Sequence, residues 1–366
     1  TEKEAQAMKY WNERISTIEP YTPGEQPQDS NWIKLNTNEN PWEPAPSVLE
    51  SIMNAAAANL NRYPDPNARL FCSAAAQYCK VPESYIFAGN GSDEILAFAF
   101  GALFKPPIVF PDVTYSFYPI YAELWSLPYE TVPLSDNFVI YPEMLLRPCG
   151  GVMLCNPNAP TGIALPRERV LEIVSYHQKQ NTVVIVDEAY VEFGAESVVR
   201  DTEQYDNLLV VRTLSKSKSI AGLRAGYAVG NPDLIAGLKR IRDMVNSYTM
   251  NTVSQLAGAA ALLAEEYYAA KTSLLIRTRE ATRDRLIAGG WQVLPSSSNF
   301  LFMSLPGTNG VELYSAFKER RILVRYWDKP KIRNHIRVTI GTPEEMDIFC
   351  QTALELAGSN RNAQGA

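Results

Sequence analysis

Histidine is almost missing from this 366-residue chain: His177 and His335 are the only two. That scarcity argues against a zinc site built on histidines and against a triad that uses a histidine base, and no metal is expected. Cysteine is sparse too. Cys72, Cys79, Cys149, Cys155 and Cys350 form an odd set without a CxxC pair. Such a set reads as reduced thiols in a cytoplasmic protein, not as a disulfide framework. No run of about eighteen apolar residues is present, and the N-terminus lacks a signal-peptide pattern, so a membrane partner is not expected. Long basic runs are absent, and the net charge is −6. That balance argues against nucleic acid and leaves small phosphorylated ligands as the anions to be recognised.

What the chain does contain is an alternation of short apolar runs and helical patterns. The runs Tyr85 to Ala88, Ile108 to Phe110, Val152 to Cys155, Thr182 to Val186 and Leu208 to Val211 read as strands. Helical stretches such as Asp93 to Phe104 and Arg167 to Lys179 lie between them. This spacing predicts βαβ units and a mostly parallel sheet with helices on both faces. A long helical pattern follows from Asn251 to Ala288. Beyond Gly289-Gly290 come short strand candidates at Trp291 to Leu294, Phe300 to Met303, Ile322 to Arg325 and Ile336 to Ile340, with a helix at Gly310 to Glu319. The expected organisation is an N-terminal arm over 1–34, opening with a short helix at Glu2 to Ile15, a large α/β domain over 35–245, and a smaller α+β domain over 246–366.

Ligands of open α/β sheets bind beyond the carboxyl ends of the strands, and the unusual residues sit there. Gly89-Asn90-Gly91-Ser92-Asp93-Glu94 follows one strand and opens a helix. Its amides suit a phosphate, although a plain turn capped by Ser92 or Asp93 would look the same. The dinucleotide fingerprint is excluded, because the third glycine is missing. Asp187 closes the apolar Val183 to Val186 run. A poorly solvated carboxylate there needs a partner, and a protonated pyridine nitrogen would serve; a turn-stabilising aspartate is the plainer alternative. A Walker-B role would require a GxxxxGK[ST] loop, which does not occur.

Lys216 stands three residues after Thr213 and eight before Arg224, just past the run Leu208 to Val211. An amine there can form a Schiff base with a carbonyl cofactor while Thr213, Ser215 and Arg224 hold a phosphate. Its neighbour Lys218 lacks that spacing, and the SxxK reading fails for want of a KTG partner. Tyr115 could stack on a ring or simply fill core. Arg325 and Arg337, in second-domain strand candidates, offer guanidinium forks for carboxylate or phosphate, or structural ion pairs.

Together these segments resemble the fold-type I pyridoxal 5'-phosphate (PLP) aminotransferases, and within them the histidinol-phosphate aminotransferase family. The likeness runs nearly end to end. It includes Glu19 to Gly24, the run Leu35-Asn36-Thr37-Asn38-Glu39-Asn40-Pro41, Arg62 to Asp65, Pro157 to Gly162, Asp187 to Tyr190, Ala221 to Arg224 and Ile336 to Thr342. The resemblance implies that Lys216 carries PLP and later serves as base, that Asp187 faces the pyridine nitrogen, and that Tyr190 bonds the ring O3'. It places Tyr115 on the ring and Gly91, Ser92, Asp93, Thr213, Ser215 and Arg224 around the phosphate. Tyr63 would reach that phosphate from a partner subunit, which implies a homodimer. Arg337 would hold the α-carboxylate of glutamate, and Arg325 with Tyr21 the phosphate of histidinol phosphate. The implied reaction is amino transfer between glutamate/2-oxoglutarate and histidinol phosphate/imidazole-acetol phosphate, in histidine biosynthesis. Threonine-phosphate decarboxylation, an aromatic or broad-specificity transamination and an inactive PLP-binding relative are the alternatives. One departure stands out. Where the family has a second asparagine bonding O3', this chain has Ala159, so Asn158 or Asn156 must substitute, or Tyr190 acts alone.

Overall fold

The strands form where β-branched and aromatic residues cluster, and their alternate side chains feed two separate cores. In the computed structural model, which describes residues 10–29, 31–57 and 60–364, seven strands make the main sheet. They are β2 (Ile86–Gly89), β3 (Ile108–Pro111), β4 (Tyr129–Val132), β5 (Gly151–Cys155), β6 (Val184–Asp187), β7 (Leu208–Thr213) and β8 (Gly226–Gly230). Their order is β2-β8-β7-β6-β5-β3-β4, and only β8 runs against its neighbours. Met153, Ile185, Leu209 and Val211 face one buried layer, while Val152, Leu154, Val184, Val186 and Val210 face the other. A sheet apolar on both faces must be covered on both, which is why its strands read as unbroken hydrophobic runs.

A second sheet, ordered β12-β13-β10-β9, is antiparallel throughout. It is built from β9 (Gln292–Val293), β10 (Phe300–Ser304), β12 (Arg325–Tyr326) and β13 (Ile336–Thr339). A short parallel pair joins the arm to this region: β1 (Ile33–Lys34) lies on β11 (Ile322–Leu323).

Three expectations change. The long pattern from Asn251 is two helices, Thr252–Leu263 and Glu265–Ala288, broken at Ala264 with φ −85° and ψ 44°. The first piece is Ala-rich and packs against helices Pro46–Ala57 and Arg69–Cys79, so the break lets the two halves serve different surfaces. The single strand Ile322 to Arg325 splits because its first two residues pair with the arm and Arg325 pairs with Arg337. Residues 1–9 of the expected opening helix lie outside the described residues, and the described helix there is Glu13–Thr17, capped by Asn12. Strands β4 and β8 add to the five that the apolar runs predict. Gly226 in β8 is required by proximity: a Cβ there would lie 2.8 Å from the Gly91 carbonyl carbon and the Ser92 nitrogen.

Candidate active site

Register brings the strand ends together. Cys155 pairs with Asp187, and Asp187 with Val211, so the turn Thr213 to Lys216 emerges directly beside the Asp187 carboxylate. A cavity of about 130 Å³ opens at this edge. Tyr21, Ser92, Asp93, Tyr115, Asp187, Tyr190, Thr213, Ser215, Lys216, Arg224, Arg325 and Arg337 all line it. Twelve residues picked from distant parts of the sequence therefore share one cleft.

Asp187 is buried, and its two oxygens accept from the Ala189 amide at 3.0 Å and the Tyr118 hydroxyl at 3.0 Å. Neither partner is a cation. Burial pushes its carboxyl up to about 7, against the pull of those two donors. Lys216 donates through Nζ to the Thr37 carbonyl at 3.1 Å. Burial first, and then the charge of Arg337, lower its amine to about 8, so a neutral amine is accessible near physiological pH. Tyr190 is buried edge-on to Phe300, with ring centroids 5.1 Å apart, and burial raises its phenol pKa.

At the Arg224 end the parts are preset. Arg224 takes a left-handed backbone (φ 51°) and donates to Asp93 at 2.9 Å and to Ser215 at 3.4 Å. Thr213 Oγ1 donates to Ser215 Oγ at 2.9 Å. Gly91 favours glycine because its φ of +85° is one that other side chains rarely adopt, and a Cβ there would come within 2.8 Å of an Arg224 nitrogen and push that side chain away. No side chain caps the helix Ser92–Leu103, which leaves its first-turn amides for an anion. Asp93 bonds both Arg224 and the Tyr115 hydroxyl (2.9 Å), so its carboxylate orients these groups. The second end differs: Arg325 donates to the Thr22 carbonyl at 2.7 Å and Arg337 to the Asn36 carbonyl at 3.1 Å.

Three expected residues lie elsewhere. Gly91 does not line the cavity and acts by letting Arg224 approach. Asn158 is buried in its loop, with Nδ2 on the Val113 carbonyl (3.0 Å) and Thr161 (3.1 Å). Its neighbour Asn156 closes on Leu165 with both ends of its amide. Neither asparagine lines the cleft in place of the side chain missing at Ala159. Tyr63 is 81% exposed and stacks on Tyr248, away from the cleft of its own chain.

Other contributors have no counterpart among the residues the motifs single out. Tyr118 holds Asp187, and Asn38 donates to the Tyr190 hydroxyl at 3.0 Å. Asn40 donates to the Lys216 carbonyl at 2.9 Å. The asparagine-rich run 36–40 is visible as a motif, but nothing in it says which asparagine meets which partner. Tyr118 gives no signal at all.

The donor set fits a phosphorylated pyridine aldehyde. An amine close to neutrality, a buried carboxylate that lacks a cation, and an arginine beside uncapped helix amides match the aldehyde, ring nitrogen and phosphate of such a group. Among the described residues no cluster of His, Cys, Asp and Glu could hold a metal, and no helix is long and apolar enough to cross a membrane.

A sheet of this order, with its lysine, aspartate and arginine at the strand ends, is the arrangement of a PLP-dependent enzyme. The sequence profile of the family described as "Aminotransferase class I and II" matches residues 30–352, and the chain belongs to that family. Among its relatives, the "Histidinol-phosphate aminotransferase" of Clostridium beijerinckii is 47% identical over 355 residues, covering 96% of this chain and 99% of its own. The "Histidinol-phosphate aminotransferase 1" of Methylococcus capsulatus is 44% identical over 356 residues, covering 97% and 99%. In three dimensions the chain superposes with a TM-score of 0.83 on the Sinorhizobium meliloti histidinol-phosphate aminotransferase, solved in complex with pyridoxal-5'-phosphate. That likeness, at 24% identity over 96% of this chain and 98% of the other, establishes the fold of the type I PLP enzymes.

Proposed function

We propose that this chain is a PLP-dependent transaminase that moves an amino group between glutamate/2-oxoglutarate and histidinol phosphate/imidazole-acetol phosphate. The observation that carries the reading is the second cationic station. Arg325 and Arg337 enter the cleft opposite the Arg224 cradle, and no carboxylate pairs with either among the described residues. One phosphate seat serves the cofactor, and two uncompensated guanidinium groups remain for the substrates' own anions: the carboxylates of glutamate in one half-reaction and the phosphate of histidinol phosphate in the other.

Bound in the cleft, PLP would supply an aldehyde that condenses with amines and a ring that withdraws electrons from the substrate Cα. Lys216, Asp187, Tyr190, Ser215 and Arg224 would hold it, with Ser92, Thr213 and Tyr115 around them. The protein's own work is then acid–base and positional. Asp187, kept dry by burial, would favour a protonated ring nitrogen. Lys216 Nζ, tuned to about 8, can take a proton from Cα and return it on the other side of the bond. Arg337 would fix the α-carboxylate of glutamate, and Arg325 the phosphate of histidinol phosphate, each in its own half-reaction, so that this proton lies within reach of Nζ.

The homodimer belongs to this proposal, with Tyr63 reaching the partner's phosphate seat, as do the cytoplasmic setting and the division into arm, large domain to residue 245 and small domain beyond. The deciding experiment adds histidinol phosphate, threonine phosphate, phenylalanine and glutamate separately to the holoprotein while the cofactor spectrum is followed. Histidinol phosphate and glutamate should each convert the cofactor to its amine form. Reaction with threonine phosphate alone, with carbon dioxide released, would overturn the assignment and leave the fold untouched.

A further inference from the structure

We propose that Asn38 is a positioning residue that sets the direction of the Tyr190 hydroxyl, forcing the phenol to donate into the cleft. The inference rests on the cofactor reading above, because the acceptor it serves is the ring oxygen of PLP.

Donors and acceptors around Asn38 form a chain with one consistent solution. Asn38 is 1% exposed and adopts a left-handed backbone (φ 56°), which asparagine tolerates better than most residues. Its backbone N–H donates to Thr339 Oγ1 at 2.9 Å. The Thr339 hydroxyl hydrogen is thereby directed to Asn38 Oδ1, 3.1 Å away. With Oδ1 engaged as acceptor, the amide must turn Nδ2 toward Tyr190, and it donates to the phenol oxygen at 3.0 Å. The reversed amide would set the Nδ2 hydrogens against the Thr339 hydroxyl and leave that hydroxyl without an acceptor. The Asn38 carbonyl is fixed as well, accepting from Asn299 Nδ2 at 3.0 Å.

A phenol oxygen that already accepts from Asn38 keeps its own hydrogen for a different partner. Tyr190 lines the cleft, so the partner it can meet there is the ligand. The loop over 156–162 sends no amide to share that task, since Asn156 and Asn158 are spent on Leu165, Val113 and Thr161. Tyr190 is therefore the hydroxyl that addresses the ring oxygen, and Asn38 with Thr339 keeps it pointing the right way.

The test is a pH titration of the lysine-bound cofactor's absorbance in holoprotein variants, with melting temperature as a check on folding. Tyr190→Phe should raise the apparent pKa by about one to two pH units, the effect of losing a donor to a charged oxygen. Asn38→Asp should shift it as far as Tyr190→Phe, because a carboxylate accepts the phenol hydrogen and turns it out of the cleft. Asn38→Ala should give a smaller rise, about half a unit, and none when added to Tyr190→Phe. Thr339→Val leaves the Asn38 side chain intact and removes the hydroxyl that orients its amide and accepts from its backbone N–H; it should reproduce the Asn38→Ala shift, even if the Asn38 variants fold poorly. An Asn38→Asp protein that titrates like the wild type, or an Asn38→Ala shift that persists undiminished without the phenol, would overturn the inference while the cofactor reading stands. Wild-type protein that binds no cofactor at Lys216 would overturn both.

Discussion

Arg224 and the Arg325–Arg337 pair occupy the same cleft, yet they are wired differently. Arg224 is half neutralised in advance by Asp93, steadied by Ser215, and fitted against the bare backbone of Gly91. Arg325 and Arg337 hold only main-chain carbonyls, and the Nε of each is buried without a partner. Their charge is flanked by aromatic faces: Arg325 lies 5.3 Å and Arg337 5.0 Å from the Trp327 ring centroid. A guanidinium with its counter-ion in place is a fixed seat for a resident group. A pair without counter-ions binds and releases anions that come and go, which is what a substrate site needs.

Removing the chemistry between the two stations should have the largest effect. Lys216→Ala is expected to lower turnover by more than about 10⁴-fold and to abolish borohydride labelling at that position. Residual amino transfer in that variant would break the comparison, because neither station would then flank the reacting centre.

Next is Asp187→Asn, with a turnover loss of roughly 10²–10³-fold from a buried cation left without its partner. The cofactor-free protein gives an independent reading of the same group. Its folded carboxyl lies near 7, above the usual 3.8, so the folded state binds this proton more tightly than the unfolded chain. Stability from Asp187 is therefore fully present below pH 4 and is lost as pH rises toward 7, by up to about 4 kcal/mol. Melting curves of wild type minus Asp187→Asn across that window should show the decline, and a flat difference would mean that the carboxylate is not dry.

The stations themselves separate at the next scale. Arg325→Ala should raise KM for the phosphorylated substrate, and Arg337→Ala KM for glutamate, each about 10–100-fold while PLP stays bound. Arg224→Lys should instead speed cofactor loss on dialysis. If Arg325→Ala released PLP, the two seats would not be distinct. The smallest effect is expected from Tyr63→Phe, about 3–10-fold in cofactor affinity, seen only if the partner's seat lacks the hydroxyl. Equal retention in mixed and uniform dimers would remove Tyr63 from the site.

The seats were legible in the sequence because each element sits at a strand end and uses a residue type that a strand end seldom needs for folding alone. Asp187 after four apolar residues, Lys216 in a Thr/Ser turn and the Gly-Asn-Gly corner all follow from chemistry and spacing along one stretch of chain. Asn38 and Tyr118 did not, since their roles exist only through partners 152 and 69 residues away. The divided strand at Ile322 to Arg325 and the break at Ala264 were hidden for a related reason. Local propensity continues through both points, and pairing with the arm or packing on distant helices decides the outcome.

The arm and the second sheet share backbone bonds. Ile33 and Leu35 donate to the Arg321 and Leu323 carbonyls, and Thr339 donates to Leu35. Tyr21 lies against Arg325, its ring centroid 5.9 Å from the guanidinium, and five residues after Leu35 the chain is tethered to the lysine turn through Asn40. Between those two moorings stand the Thr37 carbonyl on Lys216 and the Asn38 amide on Tyr190, so one short span of backbone, pinned at both ends, sets where the amine and the phenol stand.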